Sequence, residues 1–565
     1  MKKNCHQKKL ASMTFEITRR YVEDQQDVPP DVKTTILGWI RSRAVPKLAT
    51  AQDHFRGHAW QCRESARFYM QIQAFYKKNA SFVVEDAKEA TLQGLLNDEA
   101  TCRETNIRLS EPIPPEMEVF VSRAQSYIAR VLGDFNYFVK ELPSLIRFTS
   151  GATATSPRKQ SMPHRKIKRT MLAPSRSHYI LSALAQHWGY EHDVSFVPFE
   201  ENRVEVVPKN YKVMRTIACE AEAALPLQLA FDAFGKRRLK RFGINLSRQD
   251  RNQQLAFEGS MYLDIGTIDL KAASNTVAFN TVALLFPYEW FDYLRNLRAS
   301  LGRLPSGELI KYEMFSSMGN GCTFVVETLI FAACCHAVRA DTYSVYGDDI
   351  AISEESIPDL LTLLGYLGFT VNQEKSFWGN TPFRESCGVN IYAGVDITPF
   401  YIQEIDGRKT VLSHLVNGLL SICHAGGSLE KLAVSITREY KLPFVPYNEN
   451  TRSGVFVTVG RAYSNKYLQS NLTHRDKGLR PHLRRGYQPY QPQFFGLVER
   501  VPTRRTYGLR AYVLWHLAKA YRPFAIKFEQ QFVVSSHKYS YGWISFQPVG
   551  ETPLWVYLGE DALGR

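Results

Sequence analysis

The stretch Ser344-Val345-Tyr346-Gly347-Asp348-Asp349-Ile350-Ala351-Ile352 reads as two short strands, rich in apolar and β-branched residues, joined by a tight turn. Gly347 supplies the backbone freedom the turn needs. Asp348 and Asp349 then stand side by side at the tip. Adjacent carboxylates repel each other, so the pair works against folding. A hard divalent cation relieves that repulsion, and oxygen donors suit Mg²⁺ or Mn²⁺. Gly-Asp is also ordinary hairpin chemistry, so the turn alone leaves an exposed loop open as a reading.

Working outward, Thr267-Ile-Asp-Leu270 predicts a buried strand ending near a carboxylate, with a helix starting at Lys271. An Asp between apolar neighbours needs a partner. Helix capping by Asp269 is the plain alternative to chemistry. Ser316-Ser-Met-Gly-Asn-Gly321 is a small-residue loop before a long apolar helix from Thr323. Such a loop offers N–H groups and hydroxyls to a ligand, or merely connects. Upstream, Val204 to Ala218 has strand character at both ends. Lys209, Lys212 and Arg215 recur there every three residues, a spacing that suits a triphosphate and equally a salt-bridged strand edge. After the hairpin come a helix from Ile357 to Leu367 closed by Gly368, a strand, and Lys375.

The whole chain of 565 residues carries 70 Lys+Arg against 55 Asp+Glu, a net charge of +15. That excess favours an anionic polymer as partner. The 12% aromatic content favours a packed fold over a disordered basic tail. Nine cysteines show no zinc-ligand spacing, and their odd number without a signal peptide predicts a reducing cytoplasm. The longest apolar run, Val325 to Val338, contains Glu327 and is too short to cross a bilayer. Residues 1 to about 150 read as helical scaffold. Arg158, Lys159, Arg165, Lys166, Lys168 and Arg169 concentrate charge in a Pro-interrupted loop. Lys236 to Arg241 forms another basic face, and residues 471–510 interleave cations with tyrosines as single-strand binders do.

The order of these features says more than any one of them. Asp269 lies 79 positions before Asp348. An antiparallel three-stranded sheet would bring it beside the hairpin tip, where three carboxylates could hold two divalent ions. Polymerases are among the two-metal enzymes.

Thr267-Ile-Asp-Leu-Lys-Ala-Ala-Ser274, Ser316 to Gly321 with Thr323-Phe324, Val345-Tyr-Gly-Asp-Asp349, Phe383-Arg-Glu-Ser-Cys-Gly388 and Gly394-Val-Asp-Ile-Thr-Pro-Phe-Tyr401 together resemble the replicase subunit of the small positive-strand RNA bacteriophages, the leviviruses typified by phage Q-beta. The resemblance covers about residues 204–402, with Gly151-Ala-Thr-Ala-Thr155 similar as well. It implies an RNA-directed RNA polymerase of α+β class, shaped as a right hand with an antiparallel palm sheet. Residues 1–258 would be the N-terminal region and fingers, 259–402 the palm, and 403–565 the thumb and an RNA-contacting end. Asp269, Asp348 and Asp349 would hold two Mg²⁺, or Mn²⁺. Lys375 would protonate pyrophosphate. Lys209, Lys212, Arg215, Ser317, Gly319, Asn320 and Gly321 would bind nucleotide and template. The resemblance also implies ribonucleoside triphosphates, a viral RNA, host elongation factors Tu and Ts and a ribosomal RNA-binding protein as partners, no membrane, and the cytoplasm of an infected bacterium.

One position departs from the pattern. Related replicases usually carry a second Asp where this chain has Asn275, and Glu327 stands where many RNA polymerases carry an Asn. The expectation is that amide and carboxylate have exchanged places around the ribose 2′-hydroxyl. A reverse transcriptase would need a bulky residue near the first Asp, which Ala272, Ala273 and Asn275 do not provide. A basic RNA-binding protein with an accidental Gly-Asp-Asp turn is the non-enzymatic alternative.

Overall fold

Alternation along the hairpin builds the centre of the molecule. In the computed structural model, Tyr343–Tyr346 pairs antiparallel with Asp349–Ser353, which pairs antiparallel with Ile265–Ile268. Ile268, Ile350 and Ile352 face a core shared with the buried Thr323–Ala337 helix and the Ile357–Tyr366 helix. Ile265 and Ala351 face the other way, against Leu255 of the Asp250–Tyr262 helix. Both faces are covered, which is why these strands read as continuous apolar runs. The structure describes residues 2–82, 87–149, 151–157, 166, 168–187, 191–209, 214–446, 451–457 and 507–508.

A second sheet flanks the first. Glu201–Pro208 and Met214–Cys219 form an antiparallel arm, extended by Leu301–Arg303 and Leu309–Lys311. Lys209 and Arg215 stand near the tip of this arm, where Pro208 pairs with Met214. Lys212 lies outside the described residues.

The chain from Lys271 departs from expectation. Ala272 adopts φ 49°, and Ala273–Asn275 makes a single 3-10 turn; the helix begins only at Phe279. Leu270–Lys271 instead pairs with Thr370–Val371. A left-handed residue cannot start a helix, so the strand's last carboxylate is followed by a sharp bend.

The ends of the described chain share a core of their own. Helices Pro30–Arg41 and Arg63–Lys77 bury Ile36, Phe68, Ile72 and Phe75 with Ile402, Leu415 and Leu419. Asp24 accepts hydrogen bonds at 2.8 Å from both Ser428 N and Leu429 N, capping the Ser428–Glu439 helix. Gln71 exchanges two bonds with the backbone of Phe400, each 2.9 Å. The helical scaffold expected over residues 1–150 is present, but its first part packs against residues 402–455.

The expected basic surfaces are partly spent inside the protein. Lys166 is buried and donates to the Thr149 carbonyl at 2.7 Å, and Lys168 pairs with Glu222. Arg158, Lys159 and Arg165 lie outside the described residues, as does most of 471–510. Lys236 pairs with Asp232 at 2.8 Å, Arg237 with Glu141, and Arg238 donates to the Val131 carbonyl. Each cation has an acceptor on the protein, although the Lys168, Lys236 and Arg237 side chains stay half-exposed.

Gly259 sets the distance between the Asp250–Tyr262 helix and the sheet. A methyl group there would collide with the Ile265 carbonyl oxygen. Gly259→Ala is therefore expected to destabilise the protein by about 1–3 kcal/mol despite its better helix propensity, read as a lower urea midpoint.

Candidate active site

The strand register gathers the carboxylates at one sheet end. Ile268 pairs with Ile350 and Tyr346 with Asp349, so Asp269 emerges beside the hairpin tip. Its main chain is fixed by Ser376: the Asp269 N–H donates to Ser376 Oγ at 3.0 Å, and that hydroxyl donates to the Asp269 carbonyl at 3.2 Å. Asn372 Nδ2 donates to Asp269 Oδ2 at 2.7 Å, and Lys375 Nζ lies 3.6 Å from the same oxygen.

The tip itself is seated on the Thr323–Ala337 helix. Gly347 has φ 62° and its N–H donates to Thr328 Oγ1 at 3.2 Å. A Cβ at this position would stand 2.5 Å from the Phe324 ring. Glycine is required twice over, by the turn and by the ring. Asp349 Oδ1 accepts from Cys387 N at 3.2 Å, and its carbonyl accepts from Asn252 Nδ2 at 3.0 Å. Asn252 in turn accepts from Ser344 Oγ at 2.7 Å, tying both hairpin strands to one side chain.

The charges here strain against one another. Burial, and then the charge of Asp269, hold Asp348 above the usual carboxylate range, while Lys375 and Lys209 pull it down. Asp349 is pushed up to about 6 by burial and by Asp348 and Asp269, against the hydrogen bond from Cys387. Burial alone would lower Lys375, but Asp269, Glu385 and Asp348 outweigh it and keep its ammonium above the ordinary value. Lys209 is lowered by desolvation and by the neighbouring Arg215 and Lys375. Glu385 joins the cluster from the Phe383–Ser386 strand, raised by burial although Lys375 and Lys77 oppose it.

The donor set of Asp269, Asp348 and Asp349 is all carboxylate oxygen, the chemistry hard divalent ions take, and a cation would relieve the repulsion that raises Asp348 and Asp349. The residues fit such an ion. Among the described residues, no three His, Cys, Asp or Glu side chains already stand in metal-holding array, and Asp269 is engaged by Asn372 and Lys375.

The glycine loop is more inward-facing than expected. Gly321 N donates to Gln228 Oε1 at 3.0 Å, Cys322 N to Asn320 Oδ1 at 3.1 Å, and Asn320 N to the Ser317 carbonyl at 3.2 Å. Gly319, at φ 118°, packs its backbone on Ala218, whose N–H donates to the Met318 carbonyl at 2.7 Å. Ser317 and Asn320 are both buried. These amides stiffen the entry to the helix, and none of those named points to open solvent.

Asn275 and Glu327 do not form the exchanged pair expected from the sequence. Asn275 Nδ2 donates to Asp98 Oδ2 at 2.9 Å, on the Ala87–Arg108 helix. Glu327 accepts from Ser274 Oγ at 2.7 Å. The 3-10 turn sends the two successive side chains in different directions. Glu327 is 3% exposed, and burial with the nearby charge of Asp348 pushes it up to about 8, against the hydrogen bond from Ser274.

Sequence reasoning missed Asn252, Asn372, Glu385 and the Lys77–Lys78 pair. No alternation marks Glu385, because Phe383, Arg384 and Ser386 around it are all buried. The lysine pair gave no signal either, since its partners lie 300 residues away.

The site is thus a carboxylate-bearing hairpin on an antiparallel sheet, with Lys375 and Lys209 close to its charges. The family model of the RNA replicase beta-chain matches residues 20–445, and the chain belongs to that family. It is 34% identical over 386 residues to the RNA-directed RNA polymerase subunit beta of Escherichia virus Qbeta, spanning 66% of this chain and 65% of that one. With the corresponding subunit of Enterobacteria phage SP the identity is 36% over 396 residues, 67% and 68% of the two chains. With the beta chain of Escherichia phage MS2 it is 40% over 231 residues, 40% and 42% of the two chains. The chain thus matches about two thirds of the length of the first two relatives. The solved structure of the BmCPV RNA-dependent RNA polymerase covers 57% of this chain and 33% of its own at 10% identity, with a TM-score of 0.37, too distant to bear on the fold.

Two outcomes follow from the pairings of Asn275 and Glu327. Asn275→Asp would set a second carboxylate against Asp98, which burial already raises. The variant should lose stability increasingly as pH climbs through the carboxylate range, because the unfolded chain ionises freely there. Adding Asp98→Asn should restore it, with a coupling of about 0.5–3 kcal/mol in urea titrations; strict additivity would refute the contact. For Glu327, the folded value near 8 lies above the unfolded one, so its contribution is complete below about pH 4.5 and lost as pH rises to 8. Glu327→Gln should flatten that decline, seen by comparing urea midpoints at pH 5 and pH 8.

Proposed function

We propose that this protein is an RNA-directed RNA polymerase that copies a viral single-stranded RNA by nucleotidyl transfer, the right-hand polymerase reading of its fold included. The single observation that carries the reading is the register placing Asp269 beside Asp348 and Asp349, with Lys375 3.6 Å from the Asp269 carboxylate. Family membership supports the same activity. In this reading the central sheet and the helices on both its faces form the palm.

Asp269, Asp348 and Asp349 would hold two Mg²⁺, or Mn²⁺. When bound, the ions supply the charge that activates a 3′-hydroxyl and neutralises departing pyrophosphate. The remaining work falls to the chain. Lys209 and Arg215, on either side of the arm tip, draw in the triphosphate. Asn372 and Ser376 fix the Asp269 backbone and carboxylate before substrate arrives, so little rearrangement remains at the moment of reaction. Lys375 keeps its proton through its acidic neighbours and stands ready to pass it to pyrophosphate. The burial of Glu327 as a neutral acid keeps one more negative charge away from Asp348.

The proposal takes an RNA template and ribonucleoside triphosphates as substrates and the cytoplasm of an infected bacterium as the setting. No helix among the described residues is long and apolar enough to cross a membrane. Host factors Tu and Ts and a ribosomal RNA-binding protein enter as companion subunits by the resemblance alone.

Primer-independent incorporation of labelled ribonucleotides on an RNA template, with and without host lysate, tests the activity. Asp348→Asn should abolish it while leaving RNA binding at fixed salt nearly unchanged, since backbone phosphate is bound elsewhere. Turnover near that of the unaltered protein would refute the assignment. Arg215→Ala should raise KM for nucleotide by roughly tenfold with little effect on template binding.

A further inference from the structure

A cavity of about 380 Å³ opens beside Lys209, between the N-terminal helices and residues 400–415. Its size lies within the roughly 300–1,000 Å³ of small-molecule sites. Four stretches distant in sequence build it: Lys78 to Ala80, Pro208 with Lys209, Phe400 to Glu404 with one face of the Lys409–Ile422 helix, and Arg452. The walls are tied together. Ala80 N donates to the Gln403 carbonyl at 2.9 Å, and Gln71 clasps Phe400 from behind.

The lining is cationic and aromatic. Lys78 Nζ sits 3.8 Å from the centre of the Tyr401 ring. A lysine parked on an aromatic face has the weaker of its possible partners, since a ring quadrupole attracts less than a phosphate. Lys209 borders the same space. Neither lysine makes an ion pair within 4.0 Å among the described residues, whereas Arg408, also in the wall, is held by Glu404. Both lysines have ammonium groups lowered by desolvation and by crowding from other cations, Lys77 and Lys375 among them. A polyanion relieves that crowding, and Lys78 turning to it would free the Tyr401 face for a base to stack on.

We propose that this cavity is a second polyphosphate site, taking the triphosphate of a nucleotide or of an RNA 5′ end, with Lys78 as its anchor and Lys209 as the residue shared with the catalytic side. The choice of nucleotide or RNA as bearer rests on the polymerase reading; the anion site does not.

The test uses the full chain in EDTA, so that no divalent ion recruits phosphate to the aspartates. Inorganic tripolyphosphate is titrated by calorimetry against the unaltered protein and against Lys78→Gln, Lys78→Arg and Tyr401→Leu. The site predicts binding that weakens about tenfold in Lys78→Gln, the loss of one charge-assisted contact, and largely returns in Lys78→Arg. Competition by ATP assigns the site to free nucleotide, and competition by a short 5′-triphosphorylated RNA but not its 5′-hydroxyl form assigns it to the RNA end. Tyr401→Leu should weaken ATP more than tripolyphosphate. Tripolyphosphate binding equal in Lys78→Gln and the unaltered protein overturns the site, as does failure of both competitors. Because polymerisation is assayed separately with Mg²⁺, Lys78-dependent binding in a chain that makes no RNA would leave this site standing and remove the polymerase reading instead.

Discussion

Mutual repulsion among Asp269, Asp348 and Asp349 is the constraint around which this structure is arranged. Nothing local favours three carboxylates at one sheet end. They stay because the strands carrying them are buried on both faces, by Leu255 on one side and by the Thr323–Ala337 helix on the other. The hairpin tip cannot relax away, since Gly347 lies against Phe324 and Asn252 fastens both strands. Apolar burial thus opposes the electrostatic cost, and the lysines from surrounding loops soften it. The same balance leaves the site attractive to cations at its centre and to anions around its rim.

That rim is assembled from parts that do not adjoin in sequence. Lys209 and Arg215 come from an arm of the second sheet, Lys375 from the segment after Thr370–Val371, and Lys77 and Lys78 from the end of an N-terminal helix. The helix is held in place by an apolar core that residues 15–59 and 402–442 share. Packing between the chain's two ends therefore sets electrostatics at its centre.

How much of this could be read from sequence depended on the range of the interaction responsible. The Gly-Asp-Asp hairpin, the strand before Asp269, the apolar helix after Thr323 and the helix ended by Gly368 were all legible, since period and punctuation are local. The helix expected from Lys271 was not formed, because Ala272 takes a left-handed conformation that its small side chain gives no hint of. Nor do Asn275 and Glu327 bond to each other, since that bend sends Asn275 toward Asp98 and Ser274 toward Glu327. Lys166 read as a surface cation because its acceptor, the Thr149 carbonyl, is a backbone atom invisible to composition. The lysines at 77 and 78 were passed over for the same reason: their meaning lies in what residue 401 does.

The closure of the N-terminal helices on residues 400–442 has a consequence in time. Phe68, Tyr69, Ile72, Phe75 and Tyr76 are buried in the finished protein, several against residues made more than 320 positions later. At synthesis rates of about 5–20 residues per second, that partner surface follows roughly 15–65 s behind. For that interval the helix is covered only by the helices made before it, through Phe15, Tyr21 and Phe55, and the cavity beside Lys209 does not exist. A chain still on the ribosome accordingly lacks one wall of its cationic rim, so the full rim is assembled late, close to the completion of the fold.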